Sequence, residues 1–213
     1  MNLFQGDPDA FLKKSKGVIH VGANLGQERE VYAGLGLRVL WIEPIPEVFQ
    51  RLTKLIAPFP RQSAYCALIT DVDDRDYALN LSNNDGASSS IFDLAEHKML
   101  WPDVSFTGKI LVTSVTLPTL ACRQSIELSA YDTLVLDTQG SEMLVLQGAE
   151  AILPGFRFIK TEVADFESYK GCCQLPEVDK FLFARGFRRI AKREFARKRG
   201  TGSYFDLLYA ART

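Results

Sequence analysis

Much that would place this chain quickly is missing from it. No stretch approaches about eighteen consecutive apolar residues, and residues 1–16 carry no apolar segment of signal length, so neither a membrane span nor a secretory leader is expected. A cytoplasmic protein is the expectation that follows. Cysteine is scarce. Cys66, Cys122, Cys172 and Cys173 show neither zinc-ligand spacing nor a secreted disulfide framework, and an adjacent pair cannot easily bridge to itself. They read as free thiols in a reducing compartment. An excess of charge is absent too: 25 basic residues stand against 26 acidic ones, so no overall field draws in nucleic acid or an anionic membrane. The expected partner is a small or neutral molecule. The acidic run Asp71-Val72-Asp73-Asp74 lacks the glycine and the distal glutamate of a calcium loop. No internal repeat is visible.

What the chain does have begins at residues 17–28. Val18, Ile19 and Val21 make a short β-branched run that stops at a glycine-bearing turn, and an amphipathic segment follows at residues 27–35. Gly22 and Gly26 lack a β-carbon, so the backbone can turn sharply and a ligand can approach the amides at the helix start. A second buried-type run, residues 39–42, ends on Glu43. In a doubly wound sheet, ligands bind beyond the carboxyl ends of the strands, and an acid there can accept both hydroxyls of a ribose. The two runs together read as a nucleoside-binding half-site. A dinucleotide fold wants Gly-x-Gly-x-x-Gly, whereas Asn24 replaces the second glycine in Gly22-Ala23-Asn24-Leu25-Gly26. A polar side chain over the turn suits a ligand without a pyrophosphate, such as the amino-acid end of S-adenosylmethionine.

At 213 residues the chain is read as one domain, 1–213, with an amino-terminal arm at about 1–16 in which Phe4, Phe11 and Leu12 pack a short helix. Pro46 opens a helix carrying Val48, Phe49, Leu52, Leu55 and Ile56, which Pro58 and Pro60 end. A third strand is expected at 63–69. Strands at 77–81 and 110–117 pair as an insertion, about 77–117, beside the main sheet and shape the acceptor site. Between them lie a polar loop, 82–90, and a helical lid, 92–101, on which His97 reads as a surface residue. Strand 133–136 ends on Asp137, and Ser141 and Glu142 start a helix. Strand 156–163 ends near Glu162 and Asp165. A helix at 176–185, capped by Gly186, precedes a hairpin of 188–195 and 204–210. Basic residues gather there, at Arg185, Arg188, Arg189, Lys192, Arg193, Arg197, Lys198 and Arg199. They read as a solvated strand edge and loop, or as a patch for a phosphate-bearing acceptor.

His20 to Glu28, Trp41-Ile42-Glu43-Pro44, Asp137-Thr138-Gln139-Gly140-Ser141-Glu142 with Leu146-Gln147-Gly148-Ala149, and Glu162-Val163 with Gly186-Phe187 together resemble the FkbM family of S-adenosylmethionine-dependent methyltransferases. The resemblance runs in order from about Gly17 to Tyr209. It implies a class I methyltransferase fold, α/β and Rossmann-like, with a seven-stranded, mostly parallel sheet in the order 3-2-1-4-5-7-6 and helices on both faces. It also implies O-methylation of a sugar or of a glycosylated or polyketide-type small molecule.

Under that resemblance the cofactor contacts are His20, Gly22, Ala23, Asn24, Gly26, Glu28, Glu43, Pro44, Ser89, Ser90 and Asp137. Glu28 would meet the cofactor's ammonium. His20, where an acid is more usual, either bonds toward the ligand or is a buried, satisfied histidine. A carboxylate that takes the acceptor's proton contributes about 10²- to 10⁴-fold. Asp137 and Glu162 are the catalytic candidates, and with Asp165 they are candidate ligands for a magnesium ion. Asp137 equally reads as a cap of the following turn, and Glu142 as a base or as a helix-start carboxylate, the preferred role. Two other function classes stay open: a nicotinamide-dependent oxidoreductase, and a cofactor-binding module without chemistry.

Overall fold

Continuous apolar runs build the central strands, and glycines and prolines set where they stop. The computed structural model describes residues 7–212. Its first half comprises β1 (Gly17–Val21), α1 (Arg29–Gly34), β2 (Arg38–Glu43), α2 (Pro46–Ile56), β3 (Gln62–Cys66), β4 (Leu68–Ile69), β5 (Asp76–Ser82) and α3 (His97–Leu100). Then come β6 (Phe106–Val115), α4 (Leu117–Arg123), β7 (Thr133–Leu136), α5 (Glu142–Gly148), β8 (Phe158–Ala164), α6 (Leu175–Ala184), β9 (Phe187–Lys198) and β10 (Gly202–Ala211).

Seven strands form one sheet in the order β3-β2-β1-β7-β8-β10-β9. Counted by their turn in this sheet alone, that is the expected 3-2-1-4-5-7-6. All pairs are parallel except those of β10, which runs against both β8 and β9. The carboxyl ends of β1, β2, β7 and β8 therefore share one edge, where a doubly wound sheet takes its ligand. Ile19, Val21, Leu134, Leu136 and Ile159 pack one face against Val145 of α5 and Val178 and Leu182 of α6. On the other face Val18, Val39, Trp41 and Val135 meet Tyr32, Leu52 and Ile56, with Phe11 of the arm. A second sheet, β4-β6-β5, stands beside the first.

Several expectations change in detail. The strand expected at 63–69 is two strands: β3 pairs with β2 in the main sheet, whereas β4 pairs with β6 in the small one. The helix expected at 27–35 is shorter, because Gln27 and Glu28 still belong to the turn. The lid at 92–101 holds only the single helical turn α3. Its His97 is buried, 4% exposed, and shares a 2.7 Å hydrogen bond between Nδ1 and the Tyr204 hydroxyl. Trp101 and Tyr169 flank the same ring at 4.7 and 5.1 Å, so it is a core residue. The arm contributes a 3₁₀ turn, Leu12–Lys14, and the expectation for Phe4 lies outside the described residues. All four cysteines are unpaired. Among the described residues no helix is long and apolar enough to cross a membrane.

Candidate active site

The turn after β1 is built on glycine for a reason the packing makes plain. Gly22 has a φ of 81°, and a β-carbon on it would collide with the backbone oxygen of Asp137 at the end of β7. The amides of Gly22 and Ala23 both donate to the Ile42 oxygen at 3.0 Å, which ties the turn to β2. Gly26, expected among the cofactor contacts, faces elsewhere: a β-carbon there would stand 2.8 Å from Cδ1 of Leu52. It shapes the chain over α2 and does not line the cleft.

That cleft, about 260 Å³, lies over the strand ends. The turn supplies His20, Gly22, Ala23, Asn24 and Glu28, and the tip of β2 supplies Glu43 and Pro44. Ser89 and Ser90 of the 82–90 loop and Asp137 complete the polar part of the wall. The apolar part, which sequence reasoning did not single out, is Ile45, Leu68, Ile69 and Leu79. Three of these four come from the small sheet, so no local pattern in the chain marks them.

Glu43 is 4% exposed, and its two oxygens accept the amides of Asn24 at 2.8 Å and Ile45 at 2.9 Å. Burial pushes its carboxyl up to about 7, while the two amides pull the other way. Each carboxylate oxygen has a second lone pair, so two further donors fit. Asn24 holds φ at 45° and spends its side chain locally: Nδ2 donates to the Asp85 oxygen at 3.0 Å, and Oδ1 accepts from Gln27. Its amide side chain therefore fastens the 82–90 loop. His20 is not the satisfied histidine considered above. Its ring lies 5.0 Å from Trp41, Nδ1 has no hydrogen-bond partner, and burial lowers its pKa to about 4, so it is neutral.

Asp137 sits where β7 ends, and Gln139 holds it. Nε2 of Gln139 donates to Oδ1 of Asp137 at 2.6 Å, and Oε1 accepts the Tyr169 hydroxyl at 2.8 Å. Asp137 Oδ2 takes no hydrogen bond among the described residues. Burial raises the Asp137 carboxyl above the ordinary range against the pull of Gln139, and the charges of Glu142, Glu28 and Asp206 add to the rise. Gln139 itself has a φ of 54°, unusual for a residue with a side chain. Sequence reasoning passed over it, although a polar residue wedged between Asp137 and Gly140 was a signal. Glu142 accepts the amides of Thr138 at 2.9 Å and Gly140 at 3.1 Å, which makes it a helix-start carboxylate.

Glu162 lies one strand further on and does not line the main cleft. It lines a narrower one that shares Gln139 and includes Ser168, Tyr169 and Tyr204. Burial drives its carboxyl well above the usual range, helped by the charges of Asp137 and Asp206. Asp165 is directed elsewhere: Oδ1 accepts the Ser203 amide at 2.7 Å at the mouth of the hairpin. The expected magnesium set of Asp137, Glu162 and Asp165 is therefore not assembled, and no other group of three His, Cys, Asp or Glu gathers as metal ligands among the described residues.

The model of the Methyltransferase FkbM domain family matches residues 20–189. No curated protein matches the sequence. Solved structures do resemble it at low identity. The 1,6-didemethyltoxoflavin-N1-methyltransferase of Burkholderia thailandensis, solved with S-adenosylhomocysteine, aligns at 11% identity and a TM-score of 0.50, over 97% of this chain and 77% of that one. The magnesium protoporphyrin IX methyltransferase of Synechocystis, solved with S-adenosylmethionine, aligns at 11% and 0.51, over 92% and 69%. The precorrin-6y C5,15-methyltransferase of Geobacter metallireducens aligns at 10% and 0.52, over 97% and 87%. At such identity the likeness is one of fold.

Proposed function

Because the chain belongs to the FkbM methyltransferase family, we propose that this S-adenosylmethionine-dependent enzyme methylates a hydroxyl oxygen of a saccharide, or of a glycosylated or polyketide-type small molecule, with Asp137 as the base. A nicotinamide-dependent oxidoreductase, the other enzyme class the strand-turn-strand pattern admits, falls away with the family.

The donor set in the cleft suits the cofactor. Glu43 has two lone pairs open for the ribose hydroxyls, and Glu28 offers a carboxylate for the ammonium. The unpaired His20 nitrogen is a buried polar atom beside the same wall, and Ile45, Leu68 and Ile69 offer an apolar face for the adenine. When bound, S-adenosylmethionine supplies a methyl group already activated by a sulfonium. The chain's own task is to hold the acceptor oxygen in line, exclude water and take a proton.

A saccharide hydroxyl keeps its proton at neutral pH, so a base has to remove it as the new bond forms. The observation that carries the reading is Asp137: one oxygen fixed by Gln139, the other open, and a basicity raised toward neutrality by burial. Glu162, in the adjoining cleft, is read as a second carboxylate that receives acceptor hydroxyls. The balanced net charge favours a small molecule over nucleic acid or a membrane surface. The test is Asp137→Asn assayed against a panel of sugars and glycosylated small molecules. Turnover should fall by about 10²- to 10⁴-fold, while S-adenosylmethionine affinity by calorimetry stays within about twofold. Full turnover in that variant would remove Asp137 from the chemistry.

A further inference from the structure

The carboxyl-terminal hairpin carries charge that the fold does not consume. Around its base, cations are matched to acids: Arg185 with Glu150 at 2.8 Å, Arg189 with Asp179 at 2.7 Å, and Arg193 with Asp206 at 2.7 Å. At its tip, Arg197, Lys198 and Arg199 are all exposed and form no ion pair among the described residues. Glu194 of the hairpin and Asp165, just past β8, are already engaged. Glu194 accepts the Ser203 hydroxyl and Asp165 the Ser203 amide, each at 2.7 Å. Three adjacent like charges repel one another, and no ion pair among the described residues offsets that cost. The chain as a whole has a net charge of −1, so this concentration is local.

Its position gives it a use. Lys198 pairs with Gly202 across the ladder, and Tyr204, two residues on, lines the narrow cleft that contains Glu162. Two residues of strand cover roughly 7 Å. The tip thus lies about 7 Å along the strand, roughly the width of one sugar ring, from a residue that lines the cleft of Glu162, which the reading above gives to the acceptor.

We propose that Arg197, Lys198 and Arg199 bind a phosphate carried by the acceptor, which makes the substrate a phosphorylated saccharide methylated on a hydroxyl about one ring away from that phosphate. The proposal rests on the O-methylation reading for its chemistry, but the anion site can be tested apart from it. A phosphate ester brings up to two negative charges and three acceptor oxygens, and guanidinium forks take such oxygens in pairs. A site this exposed is open to screening, so its affinity falls as salt rises.

The first arm of the experiment is calorimetric titration of the S-adenosylhomocysteine-loaded full chain with inorganic pyrophosphate, which needs no turnover. The wild type should bind it in a salt-sensitive manner, and the triple variant Arg197→Ala, Lys198→Ala, Arg199→Ala at least tenfold more weakly. The second arm compares sugars with their phosphates as acceptors. The variant should raise KM for the phosphates at least tenfold and leave kcat and the KM of neutral sugars unchanged. Equal pyrophosphate affinity in both proteins overturns the proposal. So does recruitment to phosphatidylserine vesicles without pyrophosphate binding, which would make the tip a membrane contact. Tip-dependent pyrophosphate binding with no sugar methylated would uphold the anion site and defeat the O-methylation reading.

Discussion

Glu43 performs two tasks with one carboxylate. It braces the β1 turn through Asn24 and the start of α2 through Ile45, and it keeps lone pairs facing the cleft. Hydrogen bonds to a charged acceptor are worth about 1.5–3 kcal/mol each. Glu43→Ala should therefore weaken S-adenosylmethionine binding at least tenfold in calorimetry, and because two amides also lose their acceptor, the variant should melt at a lower temperature. Unchanged affinity would mean that the ribose lies elsewhere. The pH dependence has a definite sign. With its pKa pushed up to about 7, Glu43 is partly protonated in neutral solution, and a protonated carboxyl has lost an acceptor. Affinity should rise as pH is raised through about 7 and level off above it, whereas Glu43→Gln should show weaker binding without that rise. A wild-type affinity that is flat from pH 6 to 8 would indicate that the two amides keep Glu43 ionised throughout.

Between β5 and α3, the 82–90 loop acts as a strap. One side is held by Asn24 on the Asp85 oxygen at 3.0 Å and by Arg51 on the Asp85 carboxylate at 3.0 Å. The other is held by the Ser90 hydroxyl, which donates to the Gln139 oxygen at 2.7 Å. The second tether matters more, since an exposed ion pair is worth little, whereas Ser90 pins a residue whose left-handed conformation costs of order 1–3 kcal/mol. Ser90→Ala should lower kcat by roughly tenfold, the equivalent of about 1.4 kcal/mol, through Gln139 and so through Asp137, with cofactor affinity little changed. Equal losses in kcat and cofactor binding would make Ser90 a cofactor contact instead. The same region marks where sequence reasoning stops. The runs Val18–Val21, Val39–Ile42 and Thr133–Leu136 and the glycine turn are local patterns from which the strands follow, whereas the strand order comes from the family resemblance and not from those runs. The division of 63–69 is not local, because Leu68 and Ile69 are apolar either way and only their pairing with Ser114 and Val115 assigns them to the small sheet. His97 looked like a surface residue because the tyrosine it bonds lies 107 positions later. Asp165 looked like a third metal ligand because its neighbours in sequence say nothing of the Ser203 amide across the hairpin.

Over the whole molecule, buried titratable groups set opposing demands on pH. Burial holds both histidines, His20 and His97, at pKa values of about 4. Between that and about 6.5, the unfolded chain binds protons that the native protein refuses, so acidification through this window destabilises. Glu43, Asp137, Glu142 and Glu162 are all shifted upward, chiefly by burial. For Glu43 and Asp137, from about 7 down to the ordinary carboxyl range, the native protein binds protons that the unfolded chain has released, so acidification stabilises, and the upward shifts of Glu142 and Glu162 act in the same direction. Glu43 and Asp137 begin to take up protons at about pH 7, before the histidines of the unfolded chain do so at about 6.5, and the upward shifts of Glu142 and Glu162 add to theirs. The melting temperature of the cofactor-free protein should rise as pH is lowered from about 7.5 to about 5.5, and Glu162→Gln should flatten the slope by removing one of the four. Cofactor works in the opposite direction, since it favours ionised Glu43; the gap between loaded and free melting curves should narrow over the same interval. A cofactor-free melting temperature that falls on acidification would mean that these carboxyls stay ionised in the native cleft, and Asp137 would then be a weaker base than its burial implies.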